Sequence, residues 1–405
     1  MVSLKKLICL PTAHHRACYS TLSARCMITI TSSATNNASN DGIRRHVHFS
    51  PAPQPASSSR SGENLNDKSY LLECLLRNVL FKNEHCIAIA KPNGFPMQSI
   101  KYEENSDKKI DIRAENFFSM STLKNDLKRY LNVPDLFEVF TQKREFGGIV
   151  LFCFQKDVQN LLSRYFKNAK INKLHISEYK VISVGKMTKQ EGVDEMTIEQ
   201  NQINNNVMST LVRQPSKNKQ KMHGNYTNLA VKFKVTQSSK VAFNCTLNNV
   251  TVWPTTTKWD ALEMFFIHKM SAILGDHKYS SRIRNLLDKQ VLVKPEQAHP
   301  EPQALPKEVC SLLKVPESDT SNILSHVFCT KLIIPKLFYD GNRTLTYNRM
   351  CNRKSLGPDF GTYAKENIHN TDEQTINCDQ QKSLIIIEAA LPTFFQETVN
   401  YFNLM

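Results

Sequence analysis

The stretch Phe140-Thr141-Gln142-Lys143-Arg144-Glu145-Phe146-Gly147-Gly148-Ile149-Val150-Leu151-Phe152-Cys153-Phe154 joins a charged approach to a glycine pair and an unbroken apolar run. Six apolar residues in succession, Ile149 to Phe154, fit a strand buried on both faces, although periodicity alone does not separate that from buried helix. Gly147 and Gly148 reach backbone angles closed to other residues, which suits a sharp entry into the strand. Lys143, Arg144 and Glu145 are therefore presented at the edge of a core strand.

Upstream of this strand, Ser69 is placed to cap a helix carrying Leu71, Leu72, Leu75, Leu76 and Val79 on one side. A strand from Cys86 to Ala90 follows, ended by Pro92 and Gly94. Thr122 is placed to cap a helix with Leu123, Leu127 and Leu131 inward. Downstream, Asp157 is placed to cap a helix that buries Val158, Leu161, Leu162, Tyr165 and Phe166 and leaves Arg164 and Lys167 to solvent. Tyr179 to Val184, Leu229 to Val235 and Val241 to Val252 read as strands. A helix is predicted over Trp259 to Ile273, stopped at Leu274-Gly275-Asp276. Lys331 to Pro335 and Leu384 to Glu388 are strand candidates, and Phe394, Phe395, Val399 and Phe402 suit a closing amphipathic helix. Residues 186–228, dominated by Gln, Asn and Lys, predict a disordered or loosely held polar insertion, and residues 337–382 a second.

A chain of 405 residues with 40% hydrophobic composition and 21 Phe can build a large core. No window approaches the roughly 18 consecutive apolar residues of a membrane span. The formal charge of +15 and pI near 9.2 point to a polyanionic partner, most often nucleic acid, against the plainer reading of a lysine-rich solvated surface. Residues 1–60 contribute +6 of that charge, so the body is still basic. The 11 cysteines include no Cys-x-x-Cys pair, and Cys153 and Cys329 sit inside apolar runs, as reduced core residues do. The His14/His15 and His46/His48 pairs lack the further ligands a metal site needs, and no cofactor is expected. Residues 1–40 contain four basic residues, no acidic one and much Ser, Thr and Ala, the composition of a mitochondrial transit peptide. Residues 41–66, with Pro51, Pro53, Pro55 and Ser57 to Ser59, read as a disordered linker ahead of a folded domain over 67–405.

Five landmarks, in order, resemble motifs of the RluA-type RNA pseudouridine synthases. Lys91-Pro92-Asn93-Gly94 is similar to the family's Lys-Pro-x-Gly, and Phe140 to Gly148 occupies the place of its His-Arg-Leu-Asp-x-x-Thr-Ser-Gly signature. Glu178-Tyr179 followed by Val181 resembles the motif that supplies an active-site tyrosine. Leu274-Gly275-Asp276-His277-Lys278-Tyr279 resembles Leu-Gly-Asp-x-x-Tyr, and with Ser280 it is similar to the animal mitochondrial branch of the family. Ala390-Leu391-Pro392 resembles the closing Ala-Pro-Leu-Pro region. The resemblance implies an α+β fold: a mixed, mainly antiparallel sheet with flanking helices and a central RNA cleft.

The signature itself departs from the family. With Gly148 on its last glycine, Lys143 stands at the catalytic aspartate, Gln142 at the leucine and Phe140 at the histidine. Pro254 and Thr256 resemble the family's Pro-x-Thr-Gly-Arg-x-His-Gln-Ile-Arg, which puts Lys258, Asp260, Ala261 and Glu263 at its Arg, His, Gln and final Arg. That arginine pairs with the catalytic aspartate in the family, so Lys143 and Glu263 are expected to form the same pair with its charges exchanged, a scaffold without a nucleophile. A lysine ammonium has no free lone pair with which to act as nucleophile or base. Glu145 is the nearest substitute carboxylate, but in extended chain it lies about 6.5 Å further on. The resemblance also implies that Tyr179 stacks on a base, where the structural alternative is a core tyrosine, and that Lys91, Arg144 and Lys258 contact phosphates, where the alternative is solvated surface. Two functions follow: a non-catalytic RNA-binding protein of the mitochondrial matrix, or an active pseudouridine synthase using Glu145 or another carboxylate. Mitochondrial RNA is the expected partner, with protein partners through the polar insertions and no membrane span.

Overall fold

The computed structural model describes residues 68–98, 118–203, 206–213, 215, 224–242, 245–286, 289–339, 345–347 and 384–404. The expected leader and linker lie outside these residues, as does most of the polar stretch over 337–382.

Leu71, Leu72 and Leu75 form the buried stripe of α1 (Lys68–Arg77). β1 (Val79–Lys82) and β2 (Cys86–Lys91) pair antiparallel, and α2 (Met120–Leu131) follows. The cap of α2 is Ser119 rather than Thr122: the Ser119 hydroxyl accepts from the Thr122 N–H, while the Ser119 N–H donates to the Thr122 hydroxyl. β3 (Phe137–Phe140) leads through residues 141–146 into β4 (Gly147–Cys153). In α3 (Lys156–Ile171) the N-cap position falls on Gln155, whose side chain makes no capping bond, so Asp157 lies in the first turn, where its charge complements the helix dipole.

β5 (Ser177–Val184), β6 (Glu191–Ile203), β7 (Asn206–Val212), β8 (Tyr226–Ala242) and β9 (Cys245–Pro254) come next. The expected loose insertion over 186–228 is corrected here, because β6 pairs with β8 from Glu191 to Glu199 and with β7 from Thr197 to Ile203. A strand with one solvated face needs few apolar residues: Ile198 and Met208 are buried, while Val193 and Glu195 face solvent. α4 (Ala261–His268) is shorter than the predicted helix from Trp259 to Ile273. Trp259 and Asp260 hold positive φ before it, Met270 does so after it, and Ala272–Ile273 form β10 on β5. β11 (Ile283–Leu286) and β12 (Lys289–Leu292) form a separate hairpin. α5 (Lys307–Leu312), β13 (Val327–Pro335), β14 (Leu337–Tyr339), β15 (Leu345–Tyr347), β16 (Leu384–Glu388) and α6 (Thr393–Tyr401) complete the described chain.

The main sheet runs β1-β2-β4-β13-β5-β9-β8-β6-β7, with β3 on β4, β10 on β5 and β16 on β13. Its pairings are antiparallel except for β4 with β13, so the architecture is the mixed, mainly antiparallel α+β sheet that the sequence implies. β4 is buried along its whole length because its two faces serve two cores. Val150 and Phe152 join Ile87, Ile89 and the leucines of α1 and α2, while Ile149, Leu151 and Cys153 join the main core with Val158 and Leu162 of α3. Gly148 makes the β4–β13 contact possible: its φ is +102°, and a Cβ there would lie 2.3 Å from the Cys329 carbonyl oxygen. Cys86, Cys153, Cys245, Cys310 and Cys329 are buried free thiols.

Candidate active site

The loop between β3 and β4 is fixed from several sides, and this decides where residue 143 points. Lys91, at the end of β2, is fully buried and donates from Nζ to the carbonyls of Phe95 at 2.8 Å, Pro92 at 3.1 Å and Arg144 at 3.2 Å. Burial pushes the Lys91 pKa down to about 7, while the three acceptors match the three N–H bonds of an ammonium. The expectation that Lys91 contacts phosphate is therefore corrected: it is an internal strut between the two loops. Asn93 acts beside it, its Nδ2 donating to the carbonyls of Glu145, Ser325 and Val327. On the other side of Lys143, Gln142 is buried, donates to the Ile149 carbonyl at 2.9 Å and accepts from the Tyr179 hydroxyl at 3.2 Å. Tyr179 is 0% exposed, and burial raises its pKa well above the usual value. Its ring is enclosed in the core, so the expected base-stacking face is not presented; the tyrosine instead secures the loop through Gln142.

From this fixed loop the Lys143 ammonium reaches Asp260, the residue immediately before α4, and Glu263 in its first turn. The Lys143–Glu263 separation is 2.8 Å, within the roughly 4 Å limit of an ion pair. Asp260 is the hub. One of its carboxylate oxygens accepts from Lys143; the other accepts from Lys278 Nζ at 2.9 Å, from the Tyr279 hydroxyl and from Ser209 Oγ at 3.4 Å. The Tyr279 hydroxyl in turn accepts from the backbone N–H of Ser209 at 2.9 Å, which ties β7 to the cluster. Lys278 and Tyr279 are aimed by the turn before them. Gly275 has φ +82°, with room for no Cβ against the Leu324 carbonyl, and buried Asp276 accepts from the backbone N–H groups of Lys278 and Tyr279 at 3.0 Å.

Lys143 and Lys278 thus meet Asp260 and Glu263 in one cluster, with the Asp276 carboxylate near enough to act on Glu263. Burial works against the Lys143 charge, but Glu263 and Asp260 outweigh it and hold its pKa above the usual lysine value. Burial also works against the Asp260 charge, and Lys143 and Lys278 outweigh that, holding it below the usual carboxylate range. Glu263 differs: burial raises it to about 7 despite Lys143, and its Oε2 is buried without a hydrogen-bond partner among the described residues. Chemically, Lys143 has no lone pair to offer, and both oxygens of Asp260 are engaged. Arg144 and Glu145 are exposed; Arg144 Nε donates to the Gly94 carbonyl, and the Glu145 carboxylate forms no ion pair among the described residues. Lys258 is exposed beyond the end of β9, outside the cluster. Among the described residues no group of His, Cys, Asp or Glu side chains could hold a metal ion.

No family model matches the chain. A human protein named "Mitochondrial mRNA pseudouridine synthase RPUSD3" is 22% identical over 265 residues, covering 65% of this chain and 70% of that protein. Its mouse counterpart of the same name is 23% identical over 192 residues, covering 47% of this chain and 54% of that protein. These likenesses support the resemblance to RluA-type pseudouridine synthases. The chain's fold agrees with that of a solved structure, human RNA pseudouridylate synthase domain containing 4, at a TM-score of 0.52 and 16% identity, covering 83% of this chain and 97% of that one. The motif register pairs Lys143 with Glu263 and sets Asp260 at the family's histidine, but it does not join Asp260 or Lys278 to that pair as the structure does. One signal was available for Asp260: it stands three residues before Glu263 at a helix start, the spacing that puts two side chains on one side.

Proposed function

We propose that this chain is a mitochondrial RNA-binding protein of RluA type that does not isomerise uridine. The observation that carries the reading is the closed pairing of Lys143 with Asp260 and Glu263 at the signature's aspartate position. Pseudouridine formation needs a nucleophile or base at a flipped nucleotide. An ammonium held between two carboxylates supplies neither. The basic body of the chain supports RNA as the partner, and the relatives' names together with the acid-free leader support the mitochondrion as the compartment.

A second reading, an active synthase, draws on one observation: Asp260 places an anionic carboxylate against Lys143, close to where the signature would deliver its own, with exposed Glu145 as the other candidate. The purified protein incubated with mitochondrial RNA separates the two readings. The expected result is RNA binding with no pseudouridine above a protein-free control. Pseudouridine that appears with the wild type and disappears in Asp260→Asn or Glu145→Gln would establish the second reading in place of the first.

A further inference from the structure

A groove of about 1190 Å³ lies beside the closed cluster and does not include it. Its walls come from the C-terminal half of α3, from β6 to β8 and from residues 255–258, and Phe140 and Thr141 carry it up to the site loop. That volume exceeds the roughly 300–1,000 Å³ of a small-molecule pocket and suits a length of polymer. Its charge is one-sided. Glu195 is the one carboxylate among its described lining residues, and it is ion-paired with Lys173. Lys167, Lys170, Arg213 and Lys258 are left with no carboxylate partner among the described residues. Lys170 and Lys258 face each other closely enough that, after burial, the Lys258 charge is what further depresses the Lys170 pKa. Cations gathered without counter-charge repel one another in the free protein, and a polyanion relieves that repulsion.

The same groove carries aromatic surface. Phe140 and Phe166 line it as a stacked pair, with centroids 5.6 Å apart and planes 30° from parallel, both only half-buried. Part-exposed rings in a groove that also carries cations suit unpaired bases, which stack on aromatic side chains whatever their sequence; the paired bases of a duplex cannot reach into such a groove. An acidic protein segment would use the charge and leave the rings idle.

We propose that this groove is a binding track for a single-stranded RNA segment, with phosphates held by Lys167, Lys170, Arg213 and Lys258 and a base stacked on the Phe140–Phe166 pair. The inference rests on the RNA-binding reading above and adds the strand state and the path of the RNA to it. It also separates binding from the closed cluster: RNA is held beside Lys143 rather than on it.

Fluorescence anisotropy of the full chain with a labelled oligouridylate, and with a duplex RNA of the same length, tests the proposal. Lys167, Arg213 and Lys258 are exposed, so Lys167→Gln/Lys258→Gln and Arg213→Gln leave the core untouched. The expected result is a preference for the single strand and about a tenfold or greater loss of affinity in the Lys167→Gln/Lys258→Gln variant. Its logarithmic salt slope should fall by about 1.4, two phosphate contacts at roughly 0.7 each. Lys124→Gln/Lys156→Gln removes the same charge away from the groove and is expected to bind nearly as wild type. Equal losses in the two double variants, or wild-type affinity in the groove variant, would overturn the track while leaving RNA binding standing. Preference for the duplex, or tighter binding of polyglutamate than of RNA, would also overturn it, the latter in favour of a protein partner. Binding of neither RNA would remove this inference together with the reading beneath it.

Discussion

Lys143 stands between two carboxylates that would repel each other without it, so the ammonium is worth more to this site than either acid alone. Lys143→Met should lower the unfolding free energy by about 2–3 kcal/mol, toward the low end for a broken buried pair because the lysine is part exposed. Replacing both partners, Lys143→Met/Glu263→Met, should restore much of that loss, since an apolar pair of similar size removes both charges together. Urea denaturation of the two variants checks this, and a single variant as stable as the wild type would mean that the pair does not form in solution. Glu263 adds a pH dependence. Its pKa rises from 4.5 to about 7 on folding, so within that window the folded chain keeps a proton that the unfolded chain has released. The resulting stabilisation is complete below the unfolded value and is lost as pH climbs through the folded one. Glu263→Gln cannot titrate, so the stability of the wild type relative to this variant should fall between about pH 5 and about pH 8 in paired urea titrations. A flat difference would show Glu263 ionised throughout. The pair itself was legible in the sequence because two separate motif registers converge on positions 143 and 263. The burial of Lys91 and Tyr179 was not, because a motif fixes order along the chain and says nothing about which side chains the neighbouring loops enclose.

At the scale of elements, strands with long apolar runs were readable and strands with one wet face were not. β4 and β16 coincide closely with their apolar runs, β4 with every side chain buried and β16 with Ile387 buried against β13. β6 carries Glu191, Asp194, Glu195 and Glu199 in a segment that composition alone would leave loose, yet it lies between β7 and β8. Its strand character comes from cross-strand hydrogen bonds, which are non-local and leave little trace in composition. Hydrogen exchange should therefore find the amides of Asp194, Met196 and Ile198, which point toward β8, protected, where a loose insertion would exchange at once. Exchange of β6 as fast as that of an unfolded peptide would detach the hairpin from the sheet. α4 shows the reverse error. Its apolar pattern continues to Ile273, but positive φ at Trp259, Asp260 and Met270, at about 1–3 kcal/mol each, cuts the helix to its observed length. The left-handed Asp260 is also what swings its carboxylate to Lys143 and Lys278, so the strain serves the cluster.

Across the whole molecule, the +15 charge is divided among parts with different roles. Residues 1–40, the proposed import signal, carry basic residues without acids. Residues 1–40 fused ahead of a fluorescent protein should carry it to mitochondria, and a diffuse cytosolic signal would remove the compartment from the proposed function. In the folded body, charge magnitude alone did not locate a surface. Lys167 and Lys170 on α3, Arg213 after β7 and Lys258 after β9 are separated by up to about ninety residues of chain, and only the tertiary fold brings them to one groove. What the sequence by itself determined is the sheet-and-helix framework, the core strand β4 with its glycine entry, and the exchange of charge at positions 143 and 263, all of which follow from local pattern and motif register. What only the tertiary structure decided is which groups complete that exchange and which lysines share the groove. Lys143, Lys278 and Ser209 converge on Asp260 from three separate segments, and their contacts depend on long-range strand pairing and enclosure that no local window of residues encodes.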